Sequence, residues 1–362
     1  MLNVLVTGGL GFIGSHICIE LLQRGYNVYV IDNLENSTYD TSKKIIQICN
    51  LNGIHCENHF KTLIFDILDK TLLANFFEKE NIDIVIHCAG KKSVNESITN
   101  PLDYYYSNIT MTLHLLDMIQ KHNIQTFIFS SSATVYGKHE LNNYSNLNEE
   151  SKTGENISNP YGKTKYIQEM IIRDFYINHK DLRCYLLRYF NPVGCHPSGI
   201  IGENPKDKPN NLMPYVLRVA ANNNSISLFK EHIYDSLTIF GNNYDTKDGT
   251  CIRDFIHVCD LARAHIDVLA YINDLNNVET FNVGTGIGIS VLELVKLFIK
   301  HNNINVTYVI GDKRDGDETI TVCDNSKIIK LTNWKPLYDI NDIVTHSWKY
   351  IVKNYIHGDD DS

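Results

Sequence analysis

Residues 4–16 read "VLVTGGLGFIGSH": an apolar β-branched run, glycines at 8, 11 and 14, then the start of an amphipathic stretch. A turn this tight between a strand and a helix needs residues without Cβ. The phosphates of a dinucleotide need bare backbone N–H groups at a helix N-terminus, where the dipole favours negative charge. Gly14 would let the helix pack close to the strand. Three glycines in this pattern are a weak signal on their own, and their weight comes from standing at the first strand-to-helix junction. Asp32 closes the next apolar run, "YNVYVIDN", 18 residues after Gly14. That is near the roughly 20 expected for the carboxylate that accepts from a ribose 2′-OH. A carboxylate there repels a 2′-phosphate, so the expected cofactor is NAD and not NADP. Asp66 in "LIFDIL" ends the third run, where an adenine edge is expected.

Outward from this turn, short apolar runs alternate with longer amphipathic ones. Strands are expected near 2–7, 27–32, 61–65, 82–87, 126–130 and 182–188, with helices near 12–24, 41–52, 69–80, 101–123 and 160–178. Such repetition predicts an α/β fold of Rossmann type, a doubly wound parallel sheet covered on both faces. After about residue 190 the pattern loosens into "NPVGCHPSGIIGENPKDKPNN", rich in Gly, Pro and Asn. Helices are expected again near 212–222, 258–272, 290–301 and 341–354, and strands near 236–240, 279–283 and 305–309. The expected division is an NAD-binding domain over 1–190 and a smaller C-terminal α/β substrate lobe over 191–362, with room for segments of the second to return to the first. "HGDDDS" at the end reads as a solvated tail.

Composition narrows the partners. With 33 basic and 42 acidic side chains the formal charge is -9, and no basic cluster with interleaved aromatics offsets it, so nucleic acid is not an expected partner. Nine scattered cysteines, never in a C-x-x-C pair, read as reduced thiols of a cytoplasmic protein. Fifteen histidines show no ligand spacing, so no metal is expected. No apolar run approaches the length of a membrane span, and a strand beginning at residue 2 leaves no expected signal peptide.

In open α/β sheets ligands sit beyond the carboxyl ends of the strands. "HCAGKKSV" follows the fourth expected strand, "FSSSATVYG" the fifth, and "SNPYGKTKY" (158–166) opens a helix that Asn159 can cap and Pro160 can begin. Tyr161 and Lys165 then share a helix face. Bringing a phenol from pKa 10 to near neutrality requires about 4 kcal/mol. An ammonium about 5 Å away supplies roughly 3 kcal/mol at an effective dielectric near 20. An oxidised nicotinamide would add the rest, making Tyr161 a base suited to alcohol oxidation by hydride transfer. Lys165 can also reach the nicotinamide ribose, and Ser132 can hydrogen-bond the reacting hydroxyl. Taken alone, a tyrosine and a lysine four residues apart are ordinary on a helix face, and the glycine turn and serine cluster give the pair its meaning.

At these residues the chain resembles the extended short-chain dehydrogenase/reductase family, and within it the 4-epimerases of UDP-hexoses. The resemblance runs from Val4 to about Trp348 through "TGGLGFIGSH", "DNLENS", "HCAGKKSV", "SSSATVYG", "NPYGKTK", "LRYFNPVGCHPSG", "NNLMPYV", "DGTCIRDFIHV", "FNVGTG" and "RDGDE". It implies a redox-neutral exchange between UDP-glucose and UDP-galactose on tightly held NAD: Tyr161 takes the proton of the 4-hydroxyl, a 4-ketose turns over, and the hydride returns to its other face. It implies NAD contacts from Gly8, Gly11, Phe12, Ile13, Asp32, Asn33, Asn36, Asp66, Ile67, Ala89, Gly90, Lys92, Asn108, Tyr161, Lys165 and Phe190. For the UDP-sugar it implies Ser132, Tyr161, Asn191, Asn211, Leu212, Arg253, Arg314 and Asp317. Arginines suit a diphosphate, and amides and carboxylates suit hydroxyls. A homodimer through the helices near 101–123 and 160–178 is implied as well.

The chain departs from the family pattern twice. About ten extra residues, "SISLFKEHIY", precede "DSLTIFG", and their default reading is a surface excursion. Four residues beyond Asp317 stands Thr321, where members restricted to plain hexoses tend to have tyrosine. A small residue leaves room for an acetamido group, so UDP-GlcNAc and UDP-GalNAc are expected substrates too. A 4,6-dehydratase is disfavoured because Ser132 is followed by Ala133 and Thr134 and not by an acidic pair. An epimerase of uronate or pentose nucleotides and a non-catalytic NAD sensor stay open as alternatives, the sensor less so because Ser132, Tyr161 and Lys165 are all kept.

Overall fold

A computed structural model describes residues 1–138, 146–206, 209, 211–224, 226, 234–271, 278–314 and 317–356. The first half is a run of strand-helix units: β1 (Asn3–Thr7), α1 (Phe12–Gln23), β2 (Asn27–Asp32), α2 (Asp40–Leu51), β3 (Phe60–Ile64), α3 (Lys70–Lys79), β4 (Ile84–His87), α4 (Val94–Thr99), α5 (Pro101–Lys121), β5 (Thr126–Ser132), α6 (Pro160–Ile177) and β6 (Arg183–Tyr189). The second half holds β7 (Asn191–Val193), α7 (Leu212–Asn223), β8 (Leu237–Phe240), β9 (Ile252–His257), α8 (Val258–Asp267), β10 (Glu279–Val283), β11 (Gly288–Ser290), α9 (Val291–Asn302), β12 (Tyr308–Gly311), β13 (Ile320–Thr321), α10 (Ser326–Leu331) and α11 (Ile340–Ile351).

Strand side chains point alternately to the two faces of a sheet, and here both faces are covered. Val4 and Val6 pack with Ile17 and Leu21 of α1 and Leu261 of α8. Leu5 between them packs with Phe76 of α3, Leu115 of α5 and Ile172 of α6. The seven strands are parallel in the order β10-β6-β5-β4-β1-β2-β3. The order reverses between β1 and β4, which makes their carboxyl ends the crevice of the doubly wound sheet. β10 lies in the second half of the chain yet forms the outer strand, on β6, and α8 covers the face of α1, so the C-terminal half returns to the first sheet.

The smaller lobe has its own core, around Val216, Leu217, Ile239, Phe255, Leu294, Phe298 and Val344. β9 is its centre, flanked by β11 and β13 and paired also with β7, while β8 and β12 form a separate parallel pair. Reading the sequence missed β9, because charged Arg253 and Asp254 interrupt its pattern. Asp254 is fully buried and accepts from the backbone of Thr285, Gly286 and Cys323, which compensates for burying a carboxylate. The short elements α4, β7, β11, β13 and α10 also carry no periodicity long enough to read. The helix expected over 258–272 ends at Asp267 and continues as a single 3₁₀ turn to Ala270.

The tail "HGDDDS" and most of "SISLFKEHIY" lie outside the described residues. Among the described residues no helix is long and apolar enough to cross a membrane, and no three His, Cys, Asp or Glu side chains converge to hold a metal ion. All nine cysteines are free thiols.

Candidate active site

A cavity of about 1390 Å³ opens over the carboxyl ends of β1, β2, β4 and β5 and extends under the smaller lobe. The glycine turn forms its floor. Gly8 has φ +68, and a Cβ on it would stand 2.9 Å from the backbone of Ala89. A Cβ on Gly14 would stand 2.3 Å from the Gly8 carbonyl oxygen, so α1 can lie this close to the turn only as glycine. Gly11 caps α1 with no side-chain hydrogen bond, and the first turn holds no acidic residue. The helix therefore presents free N–H groups and an uncompensated positive dipole end to the cavity, the arrangement that binds phosphate.

Asp32 is buried at the end of β2. Its Oδ1 accepts from Leu34 N at 2.9 Å and Ser37 Oγ at 2.7 Å, and its Oδ2 accepts from Leu10 N at 3.0 Å. Each carboxylate oxygen has room for two donors, so Oδ2 retains one position for a ribose hydroxyl. Asp66 is braced likewise, by Leu68 N at 2.8 Å and Asn33 Nδ2 at 3.0 Å. These residues fit NAD: a cradle that a Cβ would fill, a helix terminus for the diphosphate and a carboxylate with one free acceptor site. Phe12, Ile13, Asn33, Asn36, Ile67, Ala89, Gly90, Lys92 and Phe190 join Gly8, Gly11, Asp32 and Asp66 in the lining.

Asn108 does not join them. It is buried behind the lining, where its Oδ1 accepts from Lys91 N at 2.8 Å and its Nδ2 donates to Lys91 O at 3.1 Å and Thr164 Oγ1 at 3.0 Å. The amide thus fixes the backbone of the loop after β4 and spends its polar atoms there. Lys92 lines the cavity, but its ammonium is paired with Glu203 at 2.8 Å.

The redox trio stands where β5 meets α6. Asn159 caps α6 through Gly162 N at 2.8 Å, with Pro160 at its first position, and this sets Tyr161 and Lys165 one turn apart. Ser132 Oγ accepts from Thr134 N at 3.2 Å and Thr134 Oγ1 at 3.0 Å, which fills both its acceptor positions and leaves its proton to give. It hydrogen-bonds the Tyr161 hydroxyl. Ser132 stands in the cavity lining, Tyr161 beside it is half-buried, and Lys165 is buried.

The charges differ from the sequence-based expectation. Burial raises the Tyr161 hydroxyl above its usual pKa and the bond from Ser132 opposes it; Lys165 is not among the groups that lower it. The lysine is buried, its Nζ donates to the Ser130 carbonyl at 2.7 Å, and it lies 4.7 Å from the Phe129 ring centroid. Burial pulls its own pKa down to about 8, against the Cys88 thiol and the Glu169 carboxylate. The protein's own groups therefore hold Tyr161 protonated.

On the lobe side, Arg253 on β9 donates from Nη1 to Ile252 O at 2.9 Å and Glu318 O at 2.7 Å, with Nη2 3.8 Å from Asp317. Arg314 engages Asp317 through Nε at 2.9 Å and Nη2 at 3.3 Å and stacks 4.7 Å from the Phe240 ring centroid. One carboxylate thus holds two guanidinium groups on the cavity wall. Asn191, Asn211, Leu212 and Thr321 complete this side, Thr321 pairing with Arg253 across β13 and β9.

Two features escaped the sequence reading. Glu203, in the Gly- and Pro-rich segment, receives both Lys92 and Asn211 Nδ2, the latter at 2.6 Å. Behind the trio, buried Glu169 takes Arg188 in two bonds of 3.0 and 2.8 Å and Ser131 Oγ at 2.5 Å. Arg188 continues to Tyr136, and Tyr136 to Asn282 of β10. This network ties α6 to β5, β6 and β10. The only signal for it in the sequence is that Glu169 follows Lys165 by one helical turn.

Known proteins share this architecture. The model of the NAD dependent epimerase/dehydratase family matches residues 4–284. UDP-glucose 4-epimerase of Bacillus subtilis is 40% identical over 354 residues, 97% of either chain. The solved UDP-glucose 4-epimerase of Bifidobacterium longum, in complex with NAD+ and UDP, superposes with a TM-score of 0.87 at 42% identity, covering 97% of this chain and 98% of that one. The UDP-Glc/GlcNAc 4-epimerase of Campylobacter jejuni does so with a TM-score of 0.79 at 32% identity, covering 98% and 100%. Glycine turn, acidic strand ends, serine-tyrosine-lysine trio and paired arginines thus occur together in a chain that is alike along nearly its whole length to such enzymes, and this chain belongs to the NAD dependent epimerase/dehydratase family, in the branch of the UDP-glucose 4-epimerases.

Proposed function

We propose that this protein interconverts UDP-glucose and UDP-galactose by epimerisation at C4, with Ser132, Tyr161 and Lys165 as its catalytic residues. The observation that carries the reading is the trio's position between the glycine turn and the two arginines gathered by Asp317. Arg253 and Arg314 would hold the diphosphate, drawing on guanidinium groups that Asp317 already orients. Asn191 and Asn211 offer amides to sugar hydroxyls. The chemistry NAD supplies when bound is acceptance of hydride from C4 and its return to the other face of a 4-keto sugar.

In this reading the Ser132 hydroxyl turns from Tyr161 to donate a hydrogen bond to the sugar 4-oxygen and keeps its own proton, while the proton of the sugar hydroxyl passes to Tyr161. Burial raises the Tyr161 hydroxyl, so Tyr161 would act as the base only when the positive charge of an oxidised cofactor stood beside it. Lys165, its ammonium fixed by the Ser130 carbonyl at 2.7 Å, would donate to the hydroxyls of the nicotinamide ribose. Thr321 on the wall beside Arg253 supports acceptance of UDP-GlcNAc and UDP-GalNAc, and a dual-specificity relative at 32% identity is in keeping with that.

The reading extends to an NAD domain over 1–190 with a substrate lobe over 191–362, a cytoplasmic setting suggested by nine free thiols, and a homodimer. Leu102, Tyr106 and Leu113 on α5 and Met170 and Ile177 on α6 are exposed apolar side chains on neighbouring helices, which supports a second copy as their cover.

The test is turnover of UDP-galactose to UDP-glucose by purified protein without added NAD. Wild type is expected to be active, and Tyr161→Phe to lose about two to four orders of magnitude in kcat. A fully active Tyr161→Phe protein would overturn the mechanism. Inactive wild type with NAD bound would point to a sensor.

A further inference from the structure

The segment after β7 carries four consecutive residues tied in alternate directions. Glu203 accepts from Lys92 at 2.8 Å, beyond β4, and from Asn211. Lys206 reaches the loop beyond β2, its Nζ donating to Leu34 O at 2.5 Å and its N–H to Asn36 Oδ1 at 3.4 Å. Between them, Asn204 is hydrogen-bonded to the Tyr355 hydroxyl, and the Pro205 carbonyl accepts from Arg218 Nη2 at 2.6 Å, both within the smaller lobe. Only β1 separates β2 from β4. Two interstrand spacings are about 10 Å, which is the reach of three residues of extended chain. Residues 203–206 thus run between the loop beyond β4 and the loop beyond β2, on either side of the β1 strand that ends in the glycine turn, and all four line the same cavity as that turn.

A buried arginine and a buried tyrosine hold this segment from behind. Arg218 on α7 is only 5% exposed, and its Nη1 donates to the Tyr234 hydroxyl at 2.9 Å, with the guanidinium carbon 5.4 Å from that ring's centroid. Tyr234, also buried, is the last residue of "SISLFKEHIY", the stretch by which the chain exceeds the family pattern. The foot of the insertion thus bonds the arginine that holds the Pro205 carbonyl.

We propose that residues 203–206 form a clasp over the cofactor turn, and that Arg218 and Tyr234 are positioning residues that keep it closed. By holding the clasp they set how long NAD stays bound and how Glu203 presents Asn211 to the sugar nucleotide. The insertion then acts on the site through its last residue. This inference rests on reading the Gly8–Gly14 turn as the NAD site.

The test follows exchange of bound NAD for isotopically labelled NAD in purified wild type, Tyr234→Phe and Lys206→Ala, alongside kcat, KM for UDP-galactose and melting temperature. Tyr234→Phe removes one hydroxyl from a charged partner, and Lys206→Ala alters a surface side chain, so neither threatens the fold. Both are expected to exchange NAD about tenfold faster, the loss of one charge-assisted hydrogen bond. Tyr234→Phe is also expected to raise KM severalfold while kcat at saturating NAD and melting temperature stay at the wild-type value. A merely structural role would move the melting temperature and leave the exchange rate alone. Exchange at the wild-type rate in both variants would overturn the clasp and leave the NAD site standing. Wild-type protein that releases no NAD on denaturation and also takes up no labelled NAD would overturn the NAD site itself, and the clasp with it.

Discussion

The proposed acceptance of N-acetylated sugars turns on one side chain, Thr321. It lies on a two-residue strand against Arg253, so its backbone is fixed and only its bulk sets the space on that wall. A tyrosine there would fill the room an acetamido group needs. Thr321→Tyr is expected to lower kcat/KM for UDP-GalNAc by about a hundredfold, roughly 2.7 kcal/mol, and to leave UDP-galactose within a few-fold of wild type. Side-by-side initial rates on the two substrates check this, and equal loss of both would refute the gate. Tyr161 and Lys165 teach a complementary lesson. Their types and spacing are visible in the sequence, but their charges are not. Burial raises the pKa of Tyr161 and lowers that of Lys165 to about 8, which residue types and spacing do not show.

Among elements, α1 is the most legible. Three glycines mark its entry, and the contacts of Gly14 explain why no other residue serves there. Gly14→Ala would put a methyl group 2.3 Å from the Gly8 carbonyl oxygen and 2.7 Å from Gly9 Cα, both of them backbone atoms that cannot step aside. The variant is expected to purify with little or no NAD and with stability lower by about 1–3 kcal/mol. Absorbance of cofactor released on denaturation, together with urea unfolding, measures both. β9 is the opposite case. Its arginine lines the cavity and its aspartate is satisfied by loop backbone, and both charges hide it from a hydropathy pattern. α5 and α6 lie between these extremes: their period is plain, while the exposed apolar side chains on them become meaningful only once the two helices are seen side by side.

At the scale of the whole molecule, those helices make the next prediction. If Leu102, Tyr106, Met170 and Ile177 are covered by a second copy, Leu102→Asp combined with Tyr106→Asp should shift the mass measured by light scattering from two chains to one. Wild-type protein that is already monomeric would dismiss the dimer. The larger organisation depends on the C-terminal half coming back: β10 completes the sheet, Asn282 on it closes the network from Glu169, and residues 203–206 reach the loops beyond β4 and β2. From the sequence alone came the doubly wound class, the NAD turn with its acidic partner, and the trio, because each is written in residues close along the chain whose spacing obeys a helix or strand period. Asn108 as a brace of the loop after β4, Glu203 as the partner of Lys92 and Asn211, the raised Tyr161 and the bond from Tyr234 to Arg218 were decided only by tertiary structure. Each depends on burial or on a contact between residues far apart in the chain, and neither leaves a periodic trace in the sequence.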